Sequence, residues 1–399
     1  MRIAVVGMGK IGLPLAVHYA RSGHGVVGVD VNPRVVDLVN GGAEPFPGEA
    51  HLAQYLPPLV ASGALRATTE YGEAIPGADV VVMVVPLVVD DHSRPDFSIM
   101  DAATRSMAAH LSPGTLVSYE TTLPVGATRG RYKPLIEEVS GLVEGRDFDV
   151  VFSPERVLTG RVFADLARYP KLVGGLSESG EARGVSFYEA VLSFEKRDDL
   201  PRPNGVWPMG GAEAAEMAKL AETTYRDVNI GLANQFARYA DTIGVDVARV
   251  IEACNSQPYS HIHRPGIAVG GHCIPVYPRL YVAGDPDATI VVAARSANAE
   301  MPAYVVWRAA ALLGSLAGLR VAVLGAAYRG GVKETAFSGV FGVVGALREA
   351  GAQVCVHDPL YTDEELASYG WQAYHLGGAV DVAIIQADHA CYRDLTPAD

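Results

Sequence analysis

The sequence predicts an α/β protein with two doubly wound domains joined by a long central helix. Short continuous apolar runs, typical of strands buried on both faces of a parallel sheet, occur in the N-terminal and C-terminal parts of the chain. Between them, residues 211–247 contain no proline and follow an alanine-rich helical pattern. A helix of that length extends about 50 Å at ~1.5 Å per residue, which is long enough to join two domains.

The first strand, residues 3–6 (IAVV), leads directly into a glycine-rich turn with the sequence GMGKIG at residues 7–12. A helical pattern (LPLAVHYARSG) follows, and then a second strand (GVVGVD) that ends at Asp30. The glycines allow a tight turn in which backbone N–H groups approach a pyrophosphate at the helix N-terminus. A carboxylate at Asp30 can accept the ribose hydroxyls and repels a 2′-phosphate. The pattern therefore predicts a Rossmann-like domain that binds NAD in preference to NADP, the alternative being a structural turn without cofactor.

Further buried runs predict the remaining strands of both Rossmann-like domains. The N-terminal runs are ADVVVMVVP, GTLVSYETTLPVG and DVVFSPERV, and the C-terminal ones are GLRVAVLGAAY, AQVCVHDP and VDVAIIQADH. We predict an NAD-binding domain at residues 1–205, a central helical region at 206–305 and a second Rossmann-like domain at 306–399. Because the long helix carries apolar residues on more than one face, we also expect it to pack against a second subunit in a homodimer.

Composition narrows the functional class. The 399 residues are 49% hydrophobic and 19% charged, which is typical of a globular protein, and the net charge is −13. Without a long basic run, nucleic acid is not an expected partner. We expect no signal peptide, because the N-terminus enters a strand pattern without a charged leader and cleavage site. We expect no membrane span, because the apolar run VVVMVVPLVV is interrupted by Pro86. Four scattered cysteines show no metal-ligand spacing, so we expect no metal site and a reduced, cytoplasmic protein.

The order of the motifs is specific. The glycine fingerprint is followed by ETTLPVG, SPER, a helix carrying AEMAKL, GGHC and a second Rossmann-like pattern. This order resembles the UDP-glucose/GDP-mannose dehydrogenase family over essentially the whole chain, and most closely its UDP-N-acetylmannosamine or UDP-N-acetylglucosamine 6-dehydrogenase branch. The resemblance implies oxidation of the C6 alcohol of a nucleotide sugar to a carboxylate, with two NAD⁺ consumed and no aldehyde released.

Cys273 suits that chemistry. It follows two glycines that let a substrate approach the backbone closely, and Pro275 stiffens the segment after it. A thiolate can add to an aldehyde as a thiohemiacetal, give up a second hydride and become a thioester that water hydrolyses. The alternative for a lone cysteine is a small buried hydrophobic residue, which we expect for the other three cysteines, Cys254, Cys355 and Cys391.

The resemblance also implies roles for other residues. Lys219 would stabilise the alkoxide at C6 or hold the attacking water, Glu155 would transfer protons during hydrolysis, and Thr122 would contact the reacting centre. A surface lysine and a helix-start carboxylate are the alternatives for Lys219 and Glu155. The predicted catalytic residues are Thr122, Glu155, Lys219 and Cys273. The predicted cofactor-binding residues are Gly7, Gly9, Lys10, Ile11, Gly12, Asp30, Arg34, Pro86 and Thr122. The predicted substrate-binding residues are Glu155, Arg156, Lys219, Tyr259, His261, Arg264, Gly270 and Gly271.

The chain departs from the family pattern at several positions. Tyr277 replaces an aspartate and Thr223 replaces an asparagine, one helical turn after Lys219. Residues 85–88 read VPLV instead of VPTP, and residues 334–338 (ETAFS) lack the arginine of the usual DxRxS segment. Because the replacements at 277 and 223 are polar, they predict an active enzyme with a modified hydrolytic or substrate environment. Oxidation that stops at the aldehyde or uses an unusual nucleotide sugar, and a non-catalytic nucleotide-sugar or NAD-binding protein, are the alternatives.

Overall fold

The computed structural model describes residues 1–90 and 94–396. The chain divides into two compact units, Met1–Ala221 (the first unit) and Glu222–Asp399 (the second unit). The strands are β1 Arg2–Val6, β2 Gly25–Val29, β3 Leu65–Thr68, β4 Val80–Met83, β5 Val88–Val89, β6 Pro95–Asp96, β7 Leu116–Tyr119, β8 Asp149–Phe152, β9 Lys171–Gly175, β10 Val206–Pro208, β11 Arg320–Leu324, β12 Gln353–His357, β13 Gln372–Ala373 and β14 Val382–Ile385.

The helices are α1 Gly12–Arg21, α2 Pro33–Asn40, α3 Leu52–Ala61, α4 Tyr71–Ala74, α5 Ser98–Ala108, α6 Lys133–Ser140, α7 Val162–Arg168, α8 Glu178–Val191, α9 Ala212–Ile243, α10 Val247–Asn255, α11 Tyr277–Gly284, α12 Thr289–Ala299, α13 Met301–Leu313, α14 Val340–Glu349 and α15 Asp363–Ser368. A π-helical turn occupies Thr128–Tyr132, and a 3₁₀ turn occupies Ala390–Tyr392.

The first unit is built on an eight-stranded sheet with the order β10-β9-β8-β7-β4-β1-β2-β3. The strands from β8 to β3 are parallel neighbours, and their apolar residues are buried almost without exception. The carboxyl ends of parallel strands meet at one edge of a sheet, where ligands bind in folds of this type. That edge carries the glycine turn after β1, Glu120 after β7 and Glu155 after β8.

Strand β9 reverses direction. It pairs antiparallel with β8, so that Val151 lies opposite Gly175 and Phe152 opposite Gly174. The first residue of β9, Lys171, is therefore brought to the edge of the sheet at which β8 ends. Ser153 ties the two segments together by donating its hydroxyl hydrogen to the carbonyl of Leu172 at 2.7 Å.

The second unit contains a four-stranded parallel sheet with the order β13-β12-β11-β14. Buried residues of β11, β12 and β14 pack with those of α14 around Val321, Val323 and Leu347. The predicted α/β class with Rossmann-like, largely parallel sheets is confirmed. The long helix predicted at residues 211–247 is observed at Ala212–Ile243. No helix in the described part of the chain has the length and apolar character needed to cross a membrane.

Candidate cofactor and catalytic sites

The turn between β1 and α1 requires glycine at two of its three glycine positions. Gly7 has a φ of 95°, and a Cβ there would lie 2.9 Å from the carbonyl oxygen of Val84. A Cβ on Gly12 would overlap the carbonyl oxygen of Gly7. At Gly9, by contrast, a Cβ would have no atom within 4 Å. The turn is thus closed on its inner side and open at the N-terminus of α1, which fits a pyrophosphate held by backbone N–H groups.

Asp30 follows β2 and is held beside this turn. One of its oxygens accepts the backbone N–H of Met8 at 2.9 Å, and the other accepts that of Asn32 at 2.9 Å. A carboxylate oxygen can accept more than one hydrogen bond, so Asp30 retains acceptor capacity for ribose hydroxyls. The structure therefore brings together the turn and the acid that the sequence singles out for NAD.

The other predicted cofactor residues differ in exposure. Lys10, Arg34 and Pro86 are exposed, Ile11 is half-buried, and Thr122 is buried in the loop after β7. This loop is anchored at two places. Thr121 donates its hydroxyl hydrogen to the carbonyl of Val85 at 2.6 Å. The buried carboxylate of Glu216 on α9 accepts the backbone N–H groups of Gly126 and Thr128 and the hydroxyl of Thr128.

Glu155 lies in the loop after β8 and belongs to a buried hydrogen-bonded cluster, which we call the Glu155 cluster (Tyr19, Glu120, Glu155, Lys171 and Tyr188). The Lys171 ammonium donates to one oxygen of Glu155 at 2.9 Å and to one oxygen of Glu120 at 2.9 Å. The other oxygen of Glu120 accepts the hydroxyls of Tyr188 at 2.7 Å and Tyr19 at 3.1 Å. Since the next helix begins only at Val162, Glu155 is not a helix-start carboxylate.

Charge and burial act in opposite directions within the cluster. Burial raises the pKa of Glu120 to about 7, although the positive charge of Lys171 opposes this shift. Burial also disfavours the ionised form of Glu155, but the charge and the hydrogen bond of Lys171 outweigh burial and leave the pKa of Glu155 below its ordinary value. Burial likewise lowers the pKa of Lys171, yet the two carboxyl groups raise it overall. The cluster can therefore present Glu155 as an ionised base.

Lys219 lies in the first half of α9 and is 8% exposed. This burial excludes the alternative of a solvated surface lysine. Thr223, one turn further along the helix, is also buried. A buried cation of this kind suits the stabilisation of negative charge on a bound substrate.

The loop that carries Cys273 is held from both sides within the second unit. The carbonyl oxygen of Cys273 accepts the backbone N–H of Tyr277, the first residue of α11, at 2.9 Å. The backbone N–H of Gly271, whose φ is 92°, donates to the carbonyl of Ala336 at 2.8 Å. A Cβ on Gly270 would overlap the Cβ of Tyr328. The segment that lacks the family arginine thus packs directly against the cysteine loop.

The thiol of Cys273 is exposed, as a nucleophile must be. Cys355 is buried as expected, whereas Cys254 is only half-buried. The expectation that Cys391 is a buried hydrophobic residue is wrong, because Cys391 is exposed. In the 3₁₀ turn at Ala390–Tyr392, the buried side chain is that of Tyr392.

Three of the predicted substrate residues, Tyr259, His261 and Arg264, lie on a segment braced by α9 and α10. Asn229 on α9 donates to the carbonyl of His261 at 3.0 Å and accepts the backbone N–H of His263 at 2.9 Å. Tyr259, His261 and Arg264 themselves are exposed. A separate cavity of about 320 Å³ in the second unit is lined by parts of residues 268–275, 295–302 and 337–342.

Three family models match the chain. They are described as the NAD binding, central and UDP binding domains of the UDP-glucose/GDP-mannose dehydrogenase family, and they match residues 1–192, 213–300 and 322–399.

Individual relatives agree with these matches. The chain is 38% identical over 369 residues to a UDP-N-acetyl-D-mannosamine dehydrogenase from Pyrococcus horikoshii, which covers 90% of this chain and 84% of the relative. The solved structure of a UDP-D-ManNAc dehydrogenase from the same organism has a TM-score of 0.89 and 33% identity, with 99% and 91% coverage of the two chains. That of a UDP-glucose dehydrogenase from Pyrobaculum islandicum has a TM-score of 0.86 and 27% identity, with 99% and 91% coverage.

Proposed function

The chain belongs to the UDP-glucose/GDP-mannose dehydrogenase family, and on that premise we propose that it oxidises C6 of a nucleotide sugar from the alcohol to the uronate through Cys273. It is an NAD-dependent nucleotide-sugar dehydrogenase. The observation that carries the proposal is the half-buried Glu155 carboxylate, bound by the Lys171 ammonium at 2.9 Å, at the same sheet edge as the open glycine turn. The substrate that we propose is UDP-N-acetyl-D-mannosamine, the one named for several relatives at 30–38% identity.

Each of the three residues Lys219, Cys273 and Glu155 acts at a different step of the proposed reaction. The Gly7–Gly12 turn and Asp30 would hold NAD⁺, which would supply the hydride acceptor for both oxidations. In the first oxidation the C6 hydroxyl loses its proton to water, and Lys219 stabilises the alkoxide that forms. The Cys273 thiolate then adds to the aldehyde carbon, and the resulting thiohemiacetal becomes a thioester when its hydride leaves. Water attacks the thioester carbonyl while Glu155 takes a proton from that water, and the thiolate departs as the uronate forms.

A panel of UDP-, GDP- and dTDP-sugars, read by NADH yield and mass spectrometry, tests this function. We expect two NADH and one uronate per molecule of UDP-N-acetyl-D-mannosamine. One NADH per sugar would instead support an oxidation that stops at the aldehyde. This second candidate is favoured by Tyr277, a neutral side chain at pH 7 whose backbone N–H binds the Cys273 carbonyl. Measurable binding without NADH would support a non-catalytic protein.

The glycine turn gives a matched pair of variants. We expect Gly12→Ala to lower the free energy of unfolding by about 3 kcal/mol, because the new Cβ would overlap the carbonyl oxygen of Gly7. Gly9→Ala should leave the stability unchanged, since nothing lies within 4 Å of its Cβ, but weaken NAD binding about tenfold by narrowing the pyrophosphate site. Urea unfolding and NAD titration measure the two effects. Equal destabilisation by both substitutions, or unchanged NAD affinity of Gly9→Ala, would contradict this account.

We also propose a homodimer built on α9. An exposed apolar stripe runs along this helix at intervals of seven, four, three and four residues, and a second copy of the helix would cover it. Its members are Tyr225, Leu232, Phe236, Tyr239 and Ile243, which are 56%, 46%, 37%, 63% and 53% exposed.

Tyr239→Arg is expected to convert the dimer to a monomer at micromolar concentration, because it places a charge within the apolar stripe that dimerisation would bury. Light scattering measures the mass. Leu360→Arg, which alters an apolar residue of 40% exposure outside the stripe, is the control and should remain dimeric. A wild-type protein that is monomeric at the same concentration would refute the proposal.

A further inference from the structure

Two charged residues of the Glu155 cluster have no role in the chemistry above. The side chains of Lys171 and Glu120 are 4% and 0% exposed. Removing such charges from water is costly, and replacing a buried ion pair by apolar residues is often neutral or stabilising. Folding alone therefore does not explain why both charges lie beside Glu155.

The geometry directs both residues at Glu155. Lys171 reaches it because β9 runs antiparallel to β8, which places the start of β9 beside the loop after β8. The backbone N–H of Glu155 donates to the carbonyl of Glu120 at 3.2 Å, so the two acidic residues are also joined through the main chain. A cavity of about 10 Å³, lined in part by Glu155, Arg156 and Lys171, adjoins the cluster and is the size of a single water.

The cluster as defined contains one cation, Lys171, and two carboxyl groups, those of Glu120 and Glu155. The Glu120 carboxyl is contacted by Tyr19 from α1, Tyr188 from α8 and Lys171 from β9. His18 on α1 also interacts electrostatically with Glu155, but burial lowers the pKa of His18 and favours its neutral form. With Lys171 charged and Glu155 ionised, the cluster is neutral when Glu120 holds a proton and carries one negative charge when it does not.

We propose that Lys171 and Glu120 are positioning residues for hydrolysis, in which Lys171 holds Glu155 ionised and aimed, and Glu120 receives the proton that Glu155 takes from water. In this step an O–H bond of water breaks as its oxygen bonds to the thioester carbon. The proton passes to the Glu155 carboxylate and from there to the Glu120 carboxylate, and it returns through Glu155 to solvent after the product leaves. The inference rests on the proposed function.

The pH profile of uronate formation from UDP-N-acetyl-D-mannosamine tests this role. Burial raises the pKa of Glu120 to about 7, so Glu120 can accept a proton only above that pH. We expect the wild-type rate to fall as the pH drops through about 7. In Glu120→Gln this fall in rate, the acid limb of the pH profile, should disappear, and the rate above pH 7 should be lowered about tenfold. Lys171→Gln should move this fall in rate to higher pH, because loss of the ammonium raises the pKa of Glu120 and that of Glu155, and Lys171→Arg should restore the wild-type profile.

The matched control is Glu49→Gln. Glu49 is another buried carboxylate of the first unit, and it accepts the backbone N–H groups of Gly160 and Val162 at 2.6 and 2.7 Å. Its pKa is also raised, chiefly by burial, and these two partners lie outside the Glu155 cluster. The pH limb should stay in place in this variant.

The outcomes separate the inference from the function. A wild-type enzyme that makes two NADH per sugar, combined with an unchanged limb in Glu120→Gln, overturns the inference alone. Absence of NADH from the wild type overturns the function. If the variants do not fold, infrared titration of the wild type decides, because the carbonyl band of a protonated buried carboxyl should vanish with a midpoint near pH 7. Absence of this band would overturn the inference.

Discussion

Replacing Cys273 with serine is expected to lower uronate formation about a thousandfold or more, while a slow first oxidation persists. Alcohol oxidation requires a proton acceptor and a nearby nicotinamide but no thiol. Without the thiol, the thioester cannot form. The measurement is NADH per sugar in a single-turnover experiment, with the aldehyde trapped by a hydrazine, and we expect at most one NADH.

Cys391→Ser is the matched control, because Cys391 is also an exposed thiol of the second unit and lies outside the GGHC motif. This variant should keep the wild-type yield of two NADH per sugar. Uronate formation by Cys273→Ser within tenfold of the wild-type rate would exclude a thioester route.

Lys219→Met should lower kcat by about a hundredfold to a thousandfold, with little effect on the affinity for NAD. Lys219 is buried on α9, and methionine preserves much of its length and packing while removing the charge. Loss of a cation that stabilises the alkoxide acts on the transition state more than on the bound substrate, so kcat should change more than KM. Steady-state kinetics with UDP-N-acetyl-D-mannosamine provide the test.

Lys133→Met, a half-buried lysine at the start of α6, is the control and should retain the wild-type kcat. Lys219→Arg keeps the charge in a different shape and should recover part of the lost rate. If Lys219→Met instead lowered only the thermal stability and left kcat intact, Lys219 would be a structural residue.

Features encoded by neighbouring residues could be predicted from the sequence. The glycine turn, the strands on either side of it and Asp30 occupy the first thirty positions, and each has a local reason for its conformation. The long helix was predictable for the same reason, since it has an uninterrupted helical pattern. The motif order was sufficient to locate Glu155, Lys219 and Cys273.

The Glu155 cluster could not be predicted in the same way. Lys171 is the first residue of the strand KLVGG, and its sequence context is that of an ordinary solvated lysine at a strand terminus. Its contact with Glu120 depends on the reversal of β9, which joins residues 51 positions apart, and a pattern of alternating strands and helices favours parallel pairing instead. Glu216 was missed for a similar reason, because its partners lie 88 to 90 positions away.

The packing of Gly270 has a consequence for the evolution of this chain. Its missing side chain makes room for Tyr328, and the carbonyl oxygen of Phe337 would lie 3.0 Å from a Cβ at that position. Any substitution at position 270 therefore disturbs the packing against Tyr328 and Phe337, whatever its effect on substrate binding. Invariance of this glycine among descendants would record a packing constraint, because the overlapping atom is the Cβ of Tyr328 and only a glycine at position 328 would remove it. Natural variation at these two positions should be paired, even in lineages that change the sugar they use.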